Sequence, residues 1–444
     1  MKVLLLNPPA RHKILRDYFC SHISKGSYLW QPVDLMYISG LLLNSNIEFS
    51  VLDCIAFNKD KKYTIKFIQK YRPDYIISLT GAVSFKTDIY FFREIKKIFP
   101  KIILILTGDI IFHNGITMLR NYPDIDGIIK SFADIGIGND IISNKKNGRF
   151  GKDPETNGPI SLHIPYLKPF ISNNYFLPYI KRPEFGTILV SYSCPERCFF
   201  CPFENIPYKR RKVPEILKEL EHLKKNGIKT IFFRDQSFMP DDDYYREIMN
   251  ILKKLDIEFS ISSRIKDLTN ENSLRLLKES GCYLIQIGVE SYNIKNIERK
   301  ILSQKTTKLV FNNIKKAGIK TLAHFIVGFP DENIITIFRN LAYIFSLSPD
   351  YLSLNTLTPQ PGTTFFKSKF PNGFDFEKYS LDSSISKSII KNTNFRIMTD
   401  IHRKILAIAF YSSPRFIYNS LFKTNLYQKK LMLKELYNYI RVKG

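Results

Sequence analysis

The sequence predicts an α/β protein: an N-terminal doubly wound parallel sheet, then a partial (β/α)6 barrel, then a C-terminal helical region. Two series of short apolar runs alternate with helical patterns. A segment rich in Asn, Lys, Gly, Asp and Pro separates the two series. The predicted boundaries are residues 1–145 for the first domain, 146–180 for a linker, 181–375 for the barrel and 376–444 for the helical region.

The first series consists of runs dominated by Ile, Leu and Val, which is typical of parallel strands buried on both faces. The predicted strands are Lys2–Leu6, Phe49–Leu52, Tyr75–Leu79 and Ile102–Leu106, and the helical patterns between them are Leu35–Leu43, Thr64–Lys70 and Lys86–Ile98. Ligands of doubly wound sheets lie at the carboxyl ends of the strands. We therefore expect functional residues directly after these runs.

The second series contains six predicted strands, each followed by a helical pattern. The strands are Gly186–Ser191, Thr230–Arg234, Glu258–Ser263, Tyr283–Val289, Thr321–Val327 and Tyr351–Asn355. The helix predicted at Val213–Lys225 has Pro214 at its start and Gly227 after its end, as helices prefer. Six βα steps predict an incomplete barrel, whose chemistry gathers at the carboxyl ends of its strands.

Composition narrows the class of protein. The net charge of +25 favours an anionic partner, although a biased genome explains it equally well. Six cysteines are too few for a disulfide-stapled secreted scaffold, and the apolar start of the chain ends too early for a signal peptide. No apolar run approaches the roughly 20 residues of a spanning helix. The chain is therefore expected to be cytoplasmic.

The sharpest signal is the run from Cys194 to Cys201, which follows the first barrel strand and includes Cys198. Three thiolates within eight residues can hold one iron–sulfur cluster and leave one iron of a cubane without a protein ligand. A zinc knuckle is the first alternative, but structural zinc requires four ligands and no suitable fourth ligand follows. A disulfide is a weaker alternative in a reducing compartment.

At these residues the chain resembles the radical S-adenosylmethionine (SAM) superfamily, whose hallmark is Cys-x-x-x-Cys-x-x-Cys with an aromatic residue, here Phe200, before the last cysteine. The resemblance implies a [4Fe–4S] cluster on Cys194, Cys198 and Cys201, and SAM bound to its open iron. Later runs are similar to the subgroup of the anaerobic magnesium-protoporphyrin IX monomethyl ester cyclase and the class B radical SAM methyltransferases. These runs are Phe232–Phe238, Ser263-Arg264, Gly281-Cys282, Ile287–Ser291, Phe325–Glu332, Thr358–Thr363 and Phe410–Arg415.

Ionisable or small residues end several barrel strands. Burying a charge there costs several kcal/mol unless it is paired or binds a ligand, and SAM offers a carboxylate, an ammonium and hydroxyls. We predict that Phe200, Asp235, Arg264, Glu290, Gly328 and Pro361 bind this cofactor. The alternative is that Asp235, Arg264 and Glu290 form an internal salt-bridge network. No catalytic residue is predicted. Cys54 and Cys282 are expected to lie in the core. His324 is expected to have a structural role.

In this subgroup the N-terminal domain resembles a cobalamin-binding domain. Ser78, Thr80 and Gly81 end the third strand and Gly108 ends the fourth, so the resemblance implies that these residues lie against the nucleotide tail of cobalamin. The Asp-x-His-x-x-Gly part of the family signature is missing, and Asp109 replaces the second glycine of the Gly-Gly part. A vestigial domain that only packs on the barrel is the alternative.

The resemblance implies a cobalamin-dependent enzyme that methylates an unactivated carbon of an apolar, lipid-like or natural-product substrate. The alternatives are a radical SAM cyclase or oxidoreductase without methyl transfer and, less favoured, an enzyme that modifies transfer RNA or a nucleic-acid binder. The expected partners are a small molecule and a low-potential donor such as ferredoxin or flavodoxin, and no nucleic acid. The basic tail, with 12 Lys and Arg against 3 Asp and Glu in residues 380–444, predicts either contact with an anionic membrane at its cytoplasmic face or a helix with a solvated basic face.

Overall fold

The computed structural model describes residues 1–24, 28–154, 158–292, 303–329, 332–378 and 393–441. Predictions that involve Pro330 and Asp331, and the first part of the tail, lie outside these residues.

The N-terminal domain is built on a six-stranded parallel sheet. In chain order its strands are β1 (Lys2–Asn7), β2 (Ile14–Leu15), β3 (His22–Ile23), β4 (Glu48–Asp53), β5 (Tyr75–Leu79), β6 (Ile103–Thr107), β7 (Gly127–Ile128) and β8 (Gly148–Arg149). Its helices are α1 (Val33–Asn44), α2 (Lys61–Tyr71), α3 (Phe85–Ile98), α4 (Asp109–Asn121) and α5 (Ile137–Ile142). The sheet has the order β4-β1-β5-β6-β7-β8, while β2 and β3 form a separate antiparallel pair.

The alternation of side chains along these strands gives the sheet two apolar faces. Leu5 and Ile77 belong to a core shared with α1 and α5, whereas Leu4 and Ile76 belong to a core shared with α2, α3 and α4. Helices therefore cover both faces, which confirms the predicted doubly wound sheet. The strand order reverses between β1 and β5, and ligands of such sheets bind beside this point.

The second sheet forms the predicted partial barrel. In chain order the strands of this region are β9 (Gly186–Ile188), β10 (Ser191–Tyr192), β11 (Lys209–Arg210), β12 (Thr230–Phe233), β13 (Glu258–Arg264), β14 (Cys282–Glu290), β15 (Lys320–Val327) and β16 (Tyr351–Thr356). The helices are α6 (Val213–Lys225), α7 (Asp243–Leu255), α8 (Glu271–Glu279), α9 (Gln304–Lys316), α10 (Ile334–Leu347) and α11 (Thr364–Lys369), with a 3₁₀ turn at Ile265–Leu268. The parallel order β9-β12-β13-β14-β15-β16 follows the chain, so each helix crosses to the neighbouring strand.

The first barrel strand is shorter than predicted. The sequence predicted a strand through Ser191, but β9 ends at Ile188 and the chain resumes in β10 as one arm of an antiparallel hairpin with β11. The cause is Asp235, whose carboxylate accepts hydrogen bonds from the backbone N–H groups of Val190 and Ser191 and so takes them out of the sheet.

The chain between the two sheets is packed rather than extended. Residues 146–180, predicted as a linker, contribute β8 to the first sheet, and Phe170, Tyr175 and Phe176 are buried. Cys54 and Cys282 are buried in apolar cores, as predicted.

Three helices complete the molecule, α12 (Thr393–Tyr411), α13 (Pro414–Phe422) and α14 (Leu426–Arg441). Leu406 and Phe410 of α12 join the barrel core, and Leu431 of α14 packs with Tyr179 and Tyr351 at the amino ends of the strands. Within the described part of the chain, none of the helices combines the length and the apolar character needed to cross a bilayer.

Candidate functional site

The three clustered cysteines lie in the loop that joins β10 to β11. Cys194, Cys198 and Cys201 are all half-buried, and the N–H of Cys201 donates to the carbonyl of Cys198 at 2.9 Å, which curls the loop. Ser193, directly before the loop, has a φ of 71°, a left-handed conformation that non-glycine residues rarely adopt. Such backbone strain is often found at functional sites.

Burial raises the pKa of all three thiols, and burial together with the nearby Glu290 carboxylate raises that of Cys198 to about 11. Thiols bind metal as thiolates, so loading this loop must release protons. Among the described residues, no group of three or more Cys, His, Asp and Glu converges closely enough for a single metal ion. The thiolates of one cubane bind different irons and need not converge on one point. The donor set therefore fits a [4Fe–4S] cluster.

Acidic and basic side chains join the cysteine loop to β13. Nη1 of Arg264 donates to Oε1 of Glu196 at 2.6 Å, and Lys266 forms an ion pair with the same carboxylate. Nε of Arg264 bonds to Asp267. Arg264, predicted to bind SAM, thus contacts the loop through Glu196, and Lys266 and Asp267 complete a network at the carboxyl end of β13.

The opposite side of the cysteine loop is joined to the chain that follows β16. Thr364 donates to Glu204 through both its N–H, at 2.7 Å, and its hydroxyl, at 2.6 Å, and Asn205 donates to the carbonyl of Gly362 at 3.1 Å. Pro361 is buried in this same turn. If residue 362 were not glycine, its Cβ would stand only 2.0 Å from the ring of His113 in α4. This turn therefore also packs tightly on the first domain.

Phe200 packs in a small apolar cluster with Phe329, Leu357, Ile326 and Phe365. Its ring therefore connects the cysteine loop to the carboxyl ends of β15 and β16 and keeps water from this side of the loop.

Asp235 has a structural contact set. Its carboxylate accepts from the N–H of Val190 at 3.1 Å and from the N–H and hydroxyl of Ser191 at 2.5 Å each. Burial raises its pKa to about 6. The residue predicted to bind SAM therefore fixes the backbone that leads into the cysteine loop.

Glu290 differs from the other charged residues. It ends β14 with a φ of 65°, and no hydrogen bond or ion pair from the described residues reaches its carboxylate. Burial raises its pKa to about 7. A Cβ on Gly288 would stand 2.6 Å from Oε1 of Glu290, so the glycine provides room for this carboxylate. A partly buried acid beside the cysteines, with no partner among the described residues, fits the ammonium or hydroxyls of SAM.

Gly328 follows β15 with a φ of 94°, which favours glycine. Its N–H donates to Glu332 at 2.6 Å, and a Cβ there would stand 3.0 Å from Thr399 of α12.

The internal salt-bridge network proposed for Asp235, Arg264 and Glu290 is not formed, because each of the three has different surroundings.

The first domain covers the mouth of the barrel with residues 14–24 and 28–30. Arg234, which follows β12, donates to Oδ2 of Asp17 at 3.0 Å and lies between the rings of Phe19 and Trp30, 4.5 and 4.6 Å from their centroids. Nε1 of Trp30 also donates to Asp17, at 3.2 Å. The ion pair and two aromatic rings thus form one wall of the space between the domains.

The barrel interior contributes polar groups to the same region. Nε2 of His324 is 3.4 Å from Oε1 of Gln286, and burial, followed by the charge of Arg234, lowers the pKa of His324 to about 4. The imidazole is therefore neutral at pH 7.

The four residues predicted to contact cobalamin lie together at the carboxyl end of the first sheet. Ser78 lies in β5, Thr80 and Gly81 follow it, and Gly108 lies between β6 and α4 with a φ of 120°. A Cβ at Gly108 would stand 2.1 Å from the carbonyl oxygen of Thr80, so only glycine fits there.

The chain's own residues 16–21 occupy the space in front of these four. Ser21 donates to Asp109 through its N–H at 2.7 Å and its hydroxyl at 2.8 Å, and a Cβ on Gly81 would stand 2.5 Å from the Ser21 side chain. Thr80 donates to Asp88 at 3.0 Å, and Asp88 pairs with the buried Arg16 at 2.7 Å. In this arrangement the small residues allow the chain to pack on itself, and they offer no room for a nucleotide tail unless residues 16–21 move.

Residues 188–341 match the family model of the Radical SAM superfamily. The chain carries a radical SAM domain. The matched range begins at the end of β9, contains all three clustered cysteines and ends within α10, so it covers the cysteine loop and the barrel strands β12 to β15.

The radical SAM chain has relatives among methyltransferases and cyclases. It is 26% identical to an uncharacterized methyltransferase of Pyrococcus horikoshii, over 95% of each chain. It is 25% identical to the anaerobic magnesium-protoporphyrin IX monomethyl ester cyclase of Rubrivivax gelatinosus, over 54% of this chain and 45% of the relative, so it spans less than half of that protein. The structure of the radical SAM methyltransferase TsrM from Kitasatospora setae, with cobalamin and a [4Fe–4S] cluster bound, aligns with a TM-score of 0.61 at 15% identity, over 83% of this chain and 78% of that one.

These findings confirm the predicted radical SAM domain and the similarity to methyltransferases and to the cyclase. The protein is a radical SAM enzyme, and a [4Fe–4S] cluster and SAM are the cofactors of its domain. The likeness to TsrM confirms the fold, an N-terminal parallel sheet followed by the partial barrel.

Sequence reasoning missed several residues around the site. Glu196 lies inside the cysteine motif, and Arg234 directly precedes Asp235, so both stood within runs already singled out. Asp17, Phe19 and Trp30 carried no signal, because they lie in an irregular stretch of the first domain that meets the barrel only in the folded chain.

Proposed function

We propose that this radical SAM enzyme methylates an unactivated carbon of a substrate bound between its two domains, with cobalamin as the methyl carrier. The observation that carries the proposal is that the cysteine loop packs between the barrel and the carboxyl end of the first sheet. The Tyr192 hydroxyl is 2.8 Å from Oγ of Ser131, and the rings of Phe203 and Phe19 stack at 4.7 Å. A methyl carrier on the first domain would therefore face the barrel mouth.

The chain's own residues would prepare this site. Cys194, Cys198 and Cys201 would hold the cluster, which when bound supplies the electron that splits SAM into methionine and a 5′-deoxyadenosyl radical. Glu290 would bind the ammonium or the ribose hydroxyls of SAM. Glu196, which pairs with Arg264, would keep the cysteine loop in place. Rigid positioning of this kind is the protein's contribution when cofactors perform the chemistry.

Cobalamin is supported by the overall likeness to TsrM, whose structure contains it, and by the position of Ser78, Thr80, Gly81 and Gly108 at a ligand-binding edge. Residues 16–21 fill that edge, so the proposal requires this segment to move or the nucleotide tail to lie elsewhere between the domains. Cobalt analysis after anaerobic reconstitution with hydroxocobalamin tests it. We expect about one cobalt per chain, and no retained cobalt would exclude cobalamin as the carrier.

The substrate would be apolar. Phe19, Tyr28 and Trp30 place aromatic rings beside the barrel mouth, and the rings of Tyr28 and Trp30 stack at 6.0 Å. Such rings favour a lipid-like or conjugated molecule. The strongly basic chain would suit an acidic low-potential donor such as ferredoxin or flavodoxin.

A second candidate is a cyclase or oxidoreductase that forms or oxidises carbon bonds without methyl transfer. The relative from Rubrivivax gelatinosus, a cyclase by name, favours it.

Product analysis separates the two candidates. Reconstituted enzyme with SAM, hydroxocobalamin, a strong reductant and candidate apolar substrates is expected to form S-adenosylhomocysteine and 5′-deoxyadenosine together. If 5′-deoxyadenosine forms alone while a substrate is consumed, methylation is excluded and the cyclase or oxidoreductase is favoured.

A further inference from the structure

Helix α13 and the start of α14 expose a continuous apolar face. None of the residues of α13 is buried, and Ile417, Tyr418, Leu421 and Phe422 are 47%, 55%, 54% and 70% exposed. Leu426, the first residue of α14, is 70% exposed. The spacings 417/421 and 418/422 place these side chains on one side of the helix. Exposed apolar residues are ordinary when single, but a contiguous set marks an interaction site.

Helix α12 exposes apolar residues as well. Ile401, Ile405 and Ile408 recur with helical spacing and are 44%, 40% and 63% exposed, whereas Leu406 and Phe410 on the other side are buried in the barrel. The helix thus has two apolar faces, and the described residues of the chain bury only one of them.

The end of α10 also reaches this surface. Phe345, which is 43% exposed, lines the same groove as Arg415 and Phe416 of α13. We call this exposed surface of α10, α12, α13 and the start of α14 the docking face.

Most charged residues in α12, α13 and the first half of α14 are cations. Between Thr399 and Leu433 the chain carries the cations Arg403, Lys404, Arg415, Lys423, Lys429 and Lys430 and a single acid, Asp400. Asp400 pairs with Arg403 at 2.9 Å and with Lys404 at 2.7 Å, so it leaves the other four without an acidic partner from this stretch. Nζ of Lys423 lies 5.9 Å above the Tyr418 ring, which shows how a cation and an apolar ring share this surface.

The positive charge of the docking face decides whether a second copy of the chain or a membrane fits it better. A second copy would bring two cationic faces together, and the apolar core of a protein interface is depleted in lysine. An anionic bilayer instead takes the apolar side chains between its lipids and attracts the lysines to its headgroups. We infer that the docking face of α10, α12, α13 and α14 binds the surface of an anionic phospholipid membrane.

Docking leaves the active site open. Nζ of Lys320, the first residue of β15, donates to the carbonyl of Lys423 at 3.1 Å, so the end of α13 lies at the amino ends of the strands. The cysteine loop lies at the carboxyl ends. The part of the docking face on α13 and the start of α14 would therefore contact the membrane on the side of the barrel away from the cysteine loop.

Vesicle sedimentation tests this inference with the full chain. At 0.1 M salt we expect the protein to pellet with vesicles of 70% phosphatidylcholine and 30% phosphatidylglycerol, to stay in the supernatant with pure phosphatidylcholine, and to be released from the mixed vesicles at 0.5 M salt. The double variant Phe422→Asp, Leu426→Asp should lower the partition coefficient at least about tenfold. Ile142→Asp, a matched change at a 55% exposed residue of α5, should leave it unchanged.

Three outcomes would overturn the inference. They are no pelleting with the anionic vesicles at low salt, equal binding to neutral vesicles, and unchanged binding by a double variant that melts at the wild-type temperature. A dimer that dissociates in the double variant, in a protein that ignores vesicles, would assign the docking face to a second copy instead.

Discussion

Glu290 combines three features that rarely coincide in a side chain kept for stability alone. It is a partly buried acid, its backbone is left-handed, and no described residue bonds to its carboxylate. Its neighbours in the site, Arg264 and Asp235, have partners within the chain. Glu290 is therefore the charged strand-end residue with the most freedom to bind a ligand.

Replacing Glu290 should separate ligand binding from folding. Glu290→Gln is expected to lower SAM affinity about tenfold or more, because a charge-assisted hydrogen bond is lost. The free energy of unfolding should not fall, since none of the described residues bonds to the carboxylate. Calorimetric titration with SAM and urea unfolding measure the two quantities. Glu279→Gln, at an exposed residue, serves as control. Unchanged SAM affinity in Glu290→Gln would remove Glu290 from the site.

Asp109 makes stability depend on pH. Burial raises its pKa from 3.8 to about 6, so the folded chain keeps this proton to a higher pH than the unfolded chain does. The group therefore lowers stability as the pH rises from about 4 to about 6, by up to about 3 kcal/mol. In Asp109→Asn this part of the decline should vanish, while stability falls at every pH because the amide nitrogen faces the N–H of Ser21.

Urea midpoints of the cofactor-free chain at several pH values between 4 and 6.5 measure the effect of Asp109. Asp243→Asn, at a side chain that is 97% exposed, should follow the wild-type profile. Parallel profiles for Asp109→Asn and the wild type would contradict the assignment.

The buried carboxylate of Glu219 in α6 forms an ion pair within the barrel region and a hydrogen bond to the first domain. Nη1 of Arg211 lies 2.7 Å from Oε2 of Glu219, and the Tyr37 hydroxyl of α1 donates to Oε1 of Glu219 at 3.1 Å. Arg211 also donates to the carbonyl of Leu189, at 2.7 Å, just ahead of the cysteine loop. This set of contacts links both domains to the backbone that leads into the loop.

Replacing one partner of the Arg211–Glu219 ion pair should lower the free energy of unfolding strongly. Arg211→Leu leaves the Glu219 carboxylate buried without its cation, and we expect a loss of about 3–5 kcal/mol in the free energy of unfolding. The double variant Arg211→Leu, Glu219→Leu removes both charges and should recover most of that loss. Urea unfolding measures both variants. A single variant as stable as the double variant would show that the pair is not desolvated.

Local patterns predicted most elements, because a strand or helix is encoded by neighbouring residues. Tyr75–Leu79 and Val213–Lys225 begin and end where the periodicity placed them. The strand predicted at Gly186–Ser191 stops early because its cause, Asp235, lies more than 40 residues further along the chain. The cysteine motif is local and could be predicted. The pairs Arg264 with Glu196 and Arg234 with Asp17 are separated by 68 and 217 residues, and no local pattern announces them.

The two domains share one buried interface, and Trp30, the single tryptophan of the sequence, lies in it. Its ring contacts Arg234 and lies 6.3 Å from that of Phe232, both from the barrel region. The fluorescence of Trp30 therefore reports the contact between domains without background from another tryptophan.

If the domains behave as one cooperative unit, Trp30 emission and far-ultraviolet circular dichroism should change at the same urea concentration. We expect coincident transitions because the buried Arg234–Asp17 ion pair and the hydrogen bond from Tyr37 to Glu219 both cross the interface. A Trp30 transition that clearly precedes the loss of secondary structure would show that the domains separate before they unfold.

Electron paramagnetic resonance of the anaerobically reconstituted, reduced enzyme, recorded with and without SAM, tests the central claim most directly. The predicted result is a [4Fe–4S] signal whose g values shift when SAM is added, and which is lost in Cys198→Ser but kept in Cys282→Ser. A wild-type protein without a cluster signal, or with a signal that SAM does not alter, would contradict a cluster held by Cys194, Cys198 and Cys201 with one iron open to SAM.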